Sequence, residues 1–267
     1  MDSLRGMAHI TCRFFSEVLR VAVSVEVVLP EAASSAHIGM GPAPVRKTYP
    51  VLYLLHGLSD DETIWLRRTA VERYAEPLGL ALVCPAVGRS FYQDMACGGK
   101  YWTYVSEELP RRCAEFFPLS AAREETFACG FSMGGYGAFR LGLACPERFG
   151  AVASLSGVLV LEERAGVRAR QPLLAAEEQT GIFGGVKELA GTEADLRHLA
   201  TLQAAAPGPR ARMLQVCGRE DFLLPDNRMF RDHLAPLGLD WSYEESEGAH
   251  DWAYVDRAVQ RVLEWLG

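Results

Sequence analysis

The chain has 267 residues, 49% of them hydrophobic, a length that accommodates one large α/β domain. Its formal charge is −7, from 27 Lys and Arg against 34 Asp and Glu, and the sequence contains no basic block. We therefore expect neither a nucleic-acid-binding nor an anionic-membrane surface, and a small neutral or cationic partner fits this charge better.

The cysteines and the amino terminus favour a cytoplasmic protein. Seven cysteines are widely separated and include no C-x-x-C pair, which predicts neither a disulfide framework nor a zinc site. The first residues, MDSLRGMAHIT, lack the apolar core of a signal peptide, and no apolar run reaches the length of a membrane span. We expect most of the thiols to be buried in a reducing compartment.

Two β-rich runs open the chain, and apolar strand candidates follow them. ITCRFFSEVL and VAVSVEVVLP predict an antiparallel hairpin. The stretch from Glu31 to Thr48 contains Pro, Gly and small residues and predicts a loop. Five short, almost wholly apolar runs then have the form of strands buried on both faces: YPVLYLLHG, LALVCPA, TFACGFS, GAVASLSG and ARMLQVCG.

Helical patterns alternate with these strands. They are TAVERYAEPLG, YVSEELPRRCAEFFP, MGGYGAFRLGLACPERF, DLRHLATLQAA, PDNRMFRDHLAPLG and DWAYVDRAVQRVLEWLG. The alternation predicts an α/β fold, namely a mostly parallel, doubly wound sheet with an antiparallel N-terminal hairpin and helices on both faces. We expect one domain over residues 1–267, with a small cap excursion at 161–192, where the helical periodicity weakens.

Ser132 is the first candidate for chemistry. It stands in GFSMG, directly after a strand and before a helix, which is the setting of a nucleophile elbow. The sharp turn requires small residues two positions either side, and Gly130 and Gly134 supply them. The alternative is a glycine-rich helix entrance with a capping serine, but the strand-turn-helix context favours a nucleophile. The following GYGAF predicts close packing of this helix on the sheet.

His250 is the candidate base. It lies between a strand candidate and the terminal helix, late in the chain, and is the histidine after Ser132 that follows a candidate strand. We expect it to take the proton of Ser132 and later to give it to the leaving group. His198 and His233 fall inside helical patterns and are expected to be surface or packing residues.

Asp221 is the favoured acid. It comes directly after ARMLQVCG, completing the order Ser, acid, His. A buried carboxylate there would hold the tautomer of His250 and stabilise its imidazolium. Glu220 is the nearest competitor, whereas Asp195 and Asp226 are predicted helix caps.

Two backbone N–H groups are candidates for stabilising an oxyanion. That of Met133 begins the helix after the elbow. That of Leu58 lies in HGLSDD, which follows another strand. In this stretch His56 is expected to be a structural hydrogen-bonding residue. Asp60 and Asp61 would repel an anionic substrate if they faced the site, although solvated loop aspartates are the commoner case.

Five ordered segments together resemble the esterase D-like family of α/β-hydrolases. They are HGLSDDETIWLRRTAVERYA, YWTYVSEELP, GFSMGGYGAFRLGLACPERF, CGREDF and GAHDW. The likeness covers nearly the whole chain and is closest to bacterial tributyrin-type short-chain carboxylesterases, through WLRRTAVER and HDW. It implies an α/β-hydrolase fold, a catalytic triad of Ser132, Asp221 and His250, and oxyanion donors at Leu58 and Met133.

The resemblance also bears on the substrate pocket. It implies that Trp102 and Trp65 lie near the acyl group. The sequence departs from close relatives at Asp60 and Asp61, where Gly-Asn is often found, and this alters the shape and charge of the entrance. The region 89–101 is shorter than in S-formylglutathione hydrolases, which disfavours that activity.

From the resemblance we expect a serine carboxylesterase that cleaves acetyl to butyryl esters through an acyl-enzyme, without a metal or organic cofactor. The expected partner is a small-molecule ester, with no nucleic acid and no membrane; family members often associate as homo-oligomers. Several alternatives stay open: a feruloyl or acetyl-xylan-type sugar esterase, an S-formylglutathione hydrolase, an acyltransferase, and a non-catalytic hydrolase-like binding module.

Overall fold

The computed structural model describes residues 6–31, 46–161, 173–184 and 189–267. Within these ranges eight strands form one sheet, in the order β1-β2-β4-β3-β5-β6-β7-β8. The strands are β1 Met7–Ser16, β2 Val21–Pro30, β3 Val51–Leu55, β4 Ala81–Pro85, β5 Thr126–Phe131, β6 Ala151–Leu155, β7 Arg212–Gly218 and β8 Trp241–Ser246.

Helices connect the strands over the same described ranges. They are α1 Ile64–Arg68, α2 Val71–Ala75, α3 Tyr101–Thr103, α4 Leu109–Phe116, α5 Met133–Ala144, α6 Ala176–Phe183, α7 Leu196–Ala205, α8 Leu224–Leu234 and α9 Trp252–Leu266. Two 3-10 turns occupy Glu76–Leu78 and Arg123–Glu125, and a π-helical turn at Tyr104–Glu108 joins α3 to α4. None of the helices in the described part of the chain is long and apolar enough to cross a membrane.

The predicted sheet is confirmed in its strand directions. β1 pairs antiparallel with β2, and β2 with β4, whereas every later pair of neighbours is parallel. Successive residues of β3 point to opposite faces. Tyr53 packs in a cluster with Phe139 of α5, and Leu54 packs in a second cluster with Val259 of α9. Helices therefore cover both faces, as the alternating pattern predicts.

Prolines explain where the predicted helices depart from regular geometry. Pro110 has no N–H with which to donate to Ser106, and the turn before it is π-helical, with the Leu109 N–H bonded to Tyr104 O. Pro77 likewise stands in the 3-10 turn that ends α2. Helix α1 is additional to the prediction.

Two predicted segments fall partly beyond the described residues. Positions 32–45 of the predicted loop lie outside them, as do 162–172 and 185–188 of the excursion. The described part of the excursion contains α6, where the carbonyls of Gly181 and Ile182 accept hydrogen bonds from the N–H groups of Cys97 and Ala96. The cap assignment stays a prediction.

Candidate active site

Ser132 occupies a strained turn between β5 and α5. Its backbone has φ 57° and ψ −117°, a region that L-residues rarely adopt. Three backbone hydrogen bonds hold it there: its N–H donates to Leu155 O at 3.0 Å, and its carbonyl accepts from Tyr136 at 3.2 Å and Val158 at 3.1 Å. The turn places Ser132 between the carboxyl end of β5 and the start of α5, as a nucleophile elbow requires.

The flanking glycines are required by close approach of the backbone. A Cβ atom on Gly130 would lie 2.0 Å from the carbonyl oxygen of Gly134, and a Cβ on Gly134 would lie 2.0 Å from that of Leu55. No side chain fits at either distance. The expectation that both positions must be small is confirmed.

The next glycines of α5 serve two different contacts. A Cβ on Gly135 would lie 2.8 Å from Gly157 Cα, beyond the end of β6, which agrees with the predicted packing on the sheet. A Cβ on Gly137 would instead lie 2.7 Å from the ring of Tyr92. Gly137 therefore allows the Tyr92 ring to pack against α5, and the atoms nearest to its added Cβ belong to that ring and not to the sheet.

Hydrogen bonds connect Ser132, His250 and Asp221 in series. His250 Nε2 lies 3.0 Å from Ser132 Oγ, and His250 Nδ1 lies 2.8 Å from Asp221 Oδ2. The other carboxylate oxygen of Asp221, which is buried, accepts from the N–H of Leu223 at 2.8 Å. An ionised carboxylate only accepts, so Nδ1 carries the proton and Nε2 is free to accept the proton of Ser132.

Asp221 and His250 meet because two loops are joined by backbone hydrogen bonds. Arg219 N–H donates to Ser246 O at 2.8 Å, and Glu220 N–H donates to Gly248 O at 3.1 Å. The Glu220 side chain accepts from the N–H of Gly248 at 2.6 Å, so this competitor for the acid role contacts the loop and not the imidazole. The contacts favour Asp221 as the residue that orients His250.

These contacts predict that replacing Asp221 lowers kcat far more than replacing Glu220. Asp221→Asn should lower kcat by about 10⁴-fold, because the amide no longer fixes the required tautomer of His250. Glu220→Gln should lower kcat by less than about tenfold, because an amide oxygen can still accept from Gly248. Steady-state kinetics on one neutral acetate ester would measure both. A larger loss in Glu220→Gln would contradict the assignment.

Two aromatic rings enclose His250. The ring centroid of Phe131 lies 4.5 Å from that of His250, and the ring centroid of Phe222 lies 4.7 Å from it. Phe222 is 51% exposed, which places an apolar surface at the solvent side of the imidazole. Sequence reasoning missed both rings, although each is a direct neighbour in the chain of a residue that it singled out.

The two oxyanion candidates lie beside Ser132. Met133 begins α5, and Leu58 follows Gly57, whose missing Cβ would lie 3.7 Å from Ser132 Cβ. Within the described part of the chain, no hydrogen-bond acceptor is assigned to the N–H of Leu58 or to that of Met133. Unpaired N–H groups at this position can bind a developing negative charge.

His56 supports the loop that carries Leu58. Its Nδ1 lies 2.7 Å from Gly57 O, and its Nε2 accepts from the N–H of Val87 at 3.0 Å. Burial lowers the pKa of His56, so the ring is neutral, with the proton on Nδ1. Tyr92 donates from its hydroxyl to His56 O at 3.0 Å. Both ring nitrogens are occupied, in agreement with the predicted structural role.

A buried network anchors the Tyr92 loop to α5. Phe91 and Tyr92 have φ values of 51° and 53°. Arg140 Nη1 donates to Tyr92 O at 2.8 Å and to Gln93 Oε1 at 2.7 Å. Residues distant in the chain therefore brace the loop that carries Leu58. No motif marks them, because the contacts exist only once the chain is folded.

The contacts of Trp102, Trp65 and His233 are with residues other than Ser132, Asp221 and His250. Arg140 stacks on Trp102 at 4.0 Å from the ring centroid, and both border a cavity of about 870 Å³ beside the carboxyl-terminal half of α5. Trp65 is fully buried against Trp252, with ring centroids 5.3 Å apart. Their predicted place near the acyl group stays a prediction. His233 bonds Arg197 O at 2.9 Å, and so joins α8 to α7.

The helix-cap predictions have different outcomes. Asp195 caps α7 by accepting from the N–H of Arg197 at 3.0 Å. Asp226 instead lies in the first turn of α8, whose N-cap is Leu223, so the predicted capping role is wrong. Among the described residues, no group of three or more His, Cys, Asp or Glu side chains is placed to hold a metal ion.

The sheet order and the position of the elbow define the chain as a hydrolase of the α/β-hydrolase fold. The family model "Esterase", described as "Putative esterase", matches residues 16–261. The chain therefore belongs to this esterase family, and it is a serine ester hydrolase.

Individual relatives agree with this class along the full chain. An acetyl esterase of Caldicellulosiruptor saccharolyticus is 29% identical over 263 residues, which are 97% of this chain and 98% of that protein. The substrate-bound structure of FphF, a fluorophosphonate-binding serine hydrolase of Staphylococcus aureus, is 32% identical, covers 97% of this chain and 98% of its own, and has a TM-score of 0.86. The S-formylglutathione hydrolase of S. aureus is also 32% identical, covers 98% and 99%, and has a TM-score of 0.82.

Proposed function

We propose that Ser132 is the nucleophile of a carboxylesterase, with His250 as its base and Asp221 as the residue that orients His250. The observation that carries this proposal is the series of two hydrogen bonds, 3.0 Å from Ser132 Oγ to Nε2 and 2.8 Å from Nδ1 to Asp221. The backbone N–H groups of Leu58 and Met133 are the proposed oxyanion hole.

The reaction follows from this arrangement. Ser132 Oγ attacks the ester carbonyl carbon while His250 Nε2 takes its proton. The carbonyl oxygen becomes an oxyanion, stabilised by the N–H groups of Leu58 and Met133. Cleavage of the ester C–O bond releases the alcohol, which receives the proton from His250. Water then attacks the acyl-enzyme with His250 again as base, releasing the carboxylic acid and restoring Ser132.

The proposed substrates are small esters with acetyl to butyryl acyl groups. The full-length likeness to a bacterial acetyl esterase supports a short acyl chain. The negative net charge of the chain agrees with neutral or cationic esters.

S-formylglutathione hydrolysis is the second candidate. The likeness to the S. aureus S-formylglutathione hydrolase spans 98% of this chain and supports this activity. The short region 89–101, taken alone, disfavours it. A thioester would react through the same acyl-enzyme, so the two candidates differ in the leaving group that the site accepts.

Rates on a substrate panel test the proposal. The panel contains p-nitrophenyl esters of increasing acyl length and S-formylglutathione. We expect kcat/KM to be highest between acetyl and butyryl and to fall at least about tenfold by octanoyl, since the proposed acyl site fits only short chains. A maximum at octanoyl would contradict the chain-length proposal. A value at least about a hundredfold higher for S-formylglutathione would assign the second candidate.

A further inference from the structure

Asp60 lies beside the nucleophile without being part of the hydrogen-bonded series. It is half-buried in the loop that follows β3. A Cβ atom built on Gly57 would lie 2.9 Å from Asp60 Oδ2 and 3.7 Å from Ser132 Cβ. The carboxylate and the serine therefore border the same small space at Gly57, next to the N–H of Leu58.

Asp60 has no directly paired cation among the described residues: burial raises the pKa of its carboxyl, and the backbone of Gly57 and the more distant charge of Arg67 offset this only in part. No Lys, Arg or His nitrogen of the described residues forms an ion pair with it. Arg67 of α1 instead donates to Thr63 Oγ1 at 2.9 Å. Arg89, which reaches Leu58 O at 3.5 Å, is held by both carboxylate oxygens of Glu178, at 2.5 and 2.9 Å. The Asp60 carboxylate therefore lies near Gly57 and Ser132 without an ion-pair partner among the described residues.

Asp61 provides a contrast within the same loop. It is exposed, and its Oδ1 accepts from the N–H of Thr63 at 2.9 Å and from its hydroxyl at 2.6 Å. Its carboxylate is a local turn acceptor in contact with water, where charge interactions are screened. Of the two adjacent aspartates, Asp60 is the one positioned to act on a bound ester.

We propose that Asp60 sets the charge preference of the site, so that esters with a cationic group are favoured and esters with an anionic group are disfavoured. The inference rests on the proposed esterase function of Ser132. An ionised carboxylate several ångströms from the reacting carbon interacts with a substrate charge strongly enough to change rates about tenfold, even at the effective dielectric of a protein surface.

Three acetate esters that differ mainly in charge test the proposal. They are acetylcholine, its neutral isostere with a tert-butyl group in place of trimethylammonium, and an analogue with a sulfonate in that place. Wild type, Asp60→Asn and Asp61→Asn are compared by kcat/KM at about pH 8, where both carboxylates are ionised. We expect Asp60→Asn to lower the cation-to-anion ratio about tenfold, and Asp61→Asn to change it less than about twofold.

The outcomes separate this inference from the function on which it rests. An unchanged ratio in Asp60→Asn, or an equal change in Asp61→Asn, would overturn the role of Asp60 while esterase activity on the neutral ester persists. If Ser132→Ala hydrolysed the neutral ester as fast as wild type does, the proposed function would instead be overturned. Asp60→Ser replaces Asp60→Asn if the latter does not fold, with the same expected loss of charge preference.

Discussion

Ser132→Ala should lower kcat for a neutral acetate ester by on the order of 10⁴- to 10⁶-fold. The substitution removes the oxygen that forms the acyl-enzyme and leaves only oxyanion stabilisation and binding to act on the ester. Alanine carries the same backbone restriction at φ 57° as serine, so the turn should survive. Steady-state kinetics with purified variant, together with a thermal melt to show that it is folded, would measure the loss.

Ser156→Ala is a matched control for this substitution. Ser156 is also a buried serine with positive φ, 45°, that directly follows a strand of the sheet. Its hydroxyl is directed to Cys217 Sγ at 3.8 Å and not to a histidine. We expect kcat within about threefold of wild type. Equal losses in the two variants, or activity retained by Ser132→Ala, would contradict the role of Ser132.

Gly134→Ala should destabilise the protein by at least about 3 kcal/mol. The new Cβ would lie 2.0 Å from the carbonyl oxygen of Leu55, which belongs to β3 and cannot rotate away as a side chain would. Either the sheet or the elbow must shift. Urea denaturation followed by tryptophan fluorescence would give the change in unfolding free energy.

Gly181→Ala provides the control for the stability measurement. Gly181 lies in α6, and a Cβ there would meet nothing within 4 Å. Alanine is the better helix former, so we expect a gain of up to about 1 kcal/mol. If Gly134→Ala were as stable as Gly181→Ala, the close approach at the elbow would not be a constraint on this sequence.

The fold could be predicted because its central strands are short and almost wholly apolar. Runs such as VLYLL and AVASL are five residues long and almost wholly apolar, which is typical of a strand covered on both faces, and the structure buries them at every position. The elbow was recognisable for a related reason, since Gly130 and Gly134 mark close contacts on either side of one serine. Parallel strands end at the same edge of the sheet, so residues after different strands were expected to meet.

What the sequence did not predict depends on contacts between distant segments. The contacts that favour Asp221 over Glu220 depend on backbone hydrogen bonds to Ser246 and Gly248, which no local pattern encodes. The bracing of Tyr92 by Arg140 is of the same kind. Such contacts form only when distant segments pack together, and the order of residues along the chain does not show which segments will meet. The contacts of a side chain such as Trp102, which the sequence assigns only through its position in a motif, are the hardest to predict.

Mapping the site of a fluorophosphonate adduct tests the central claim most directly. The reagent phosphonylates an activated serine, and mass spectrometry of the digested protein identifies the modified residue. We predict a single adduct on Ser132, within the tryptic peptide 124–140, and a reaction slowed at least about a hundredfold in His250→Ala, which lacks the base. An adduct on another serine of the folded, ester-hydrolysing protein would contradict this account.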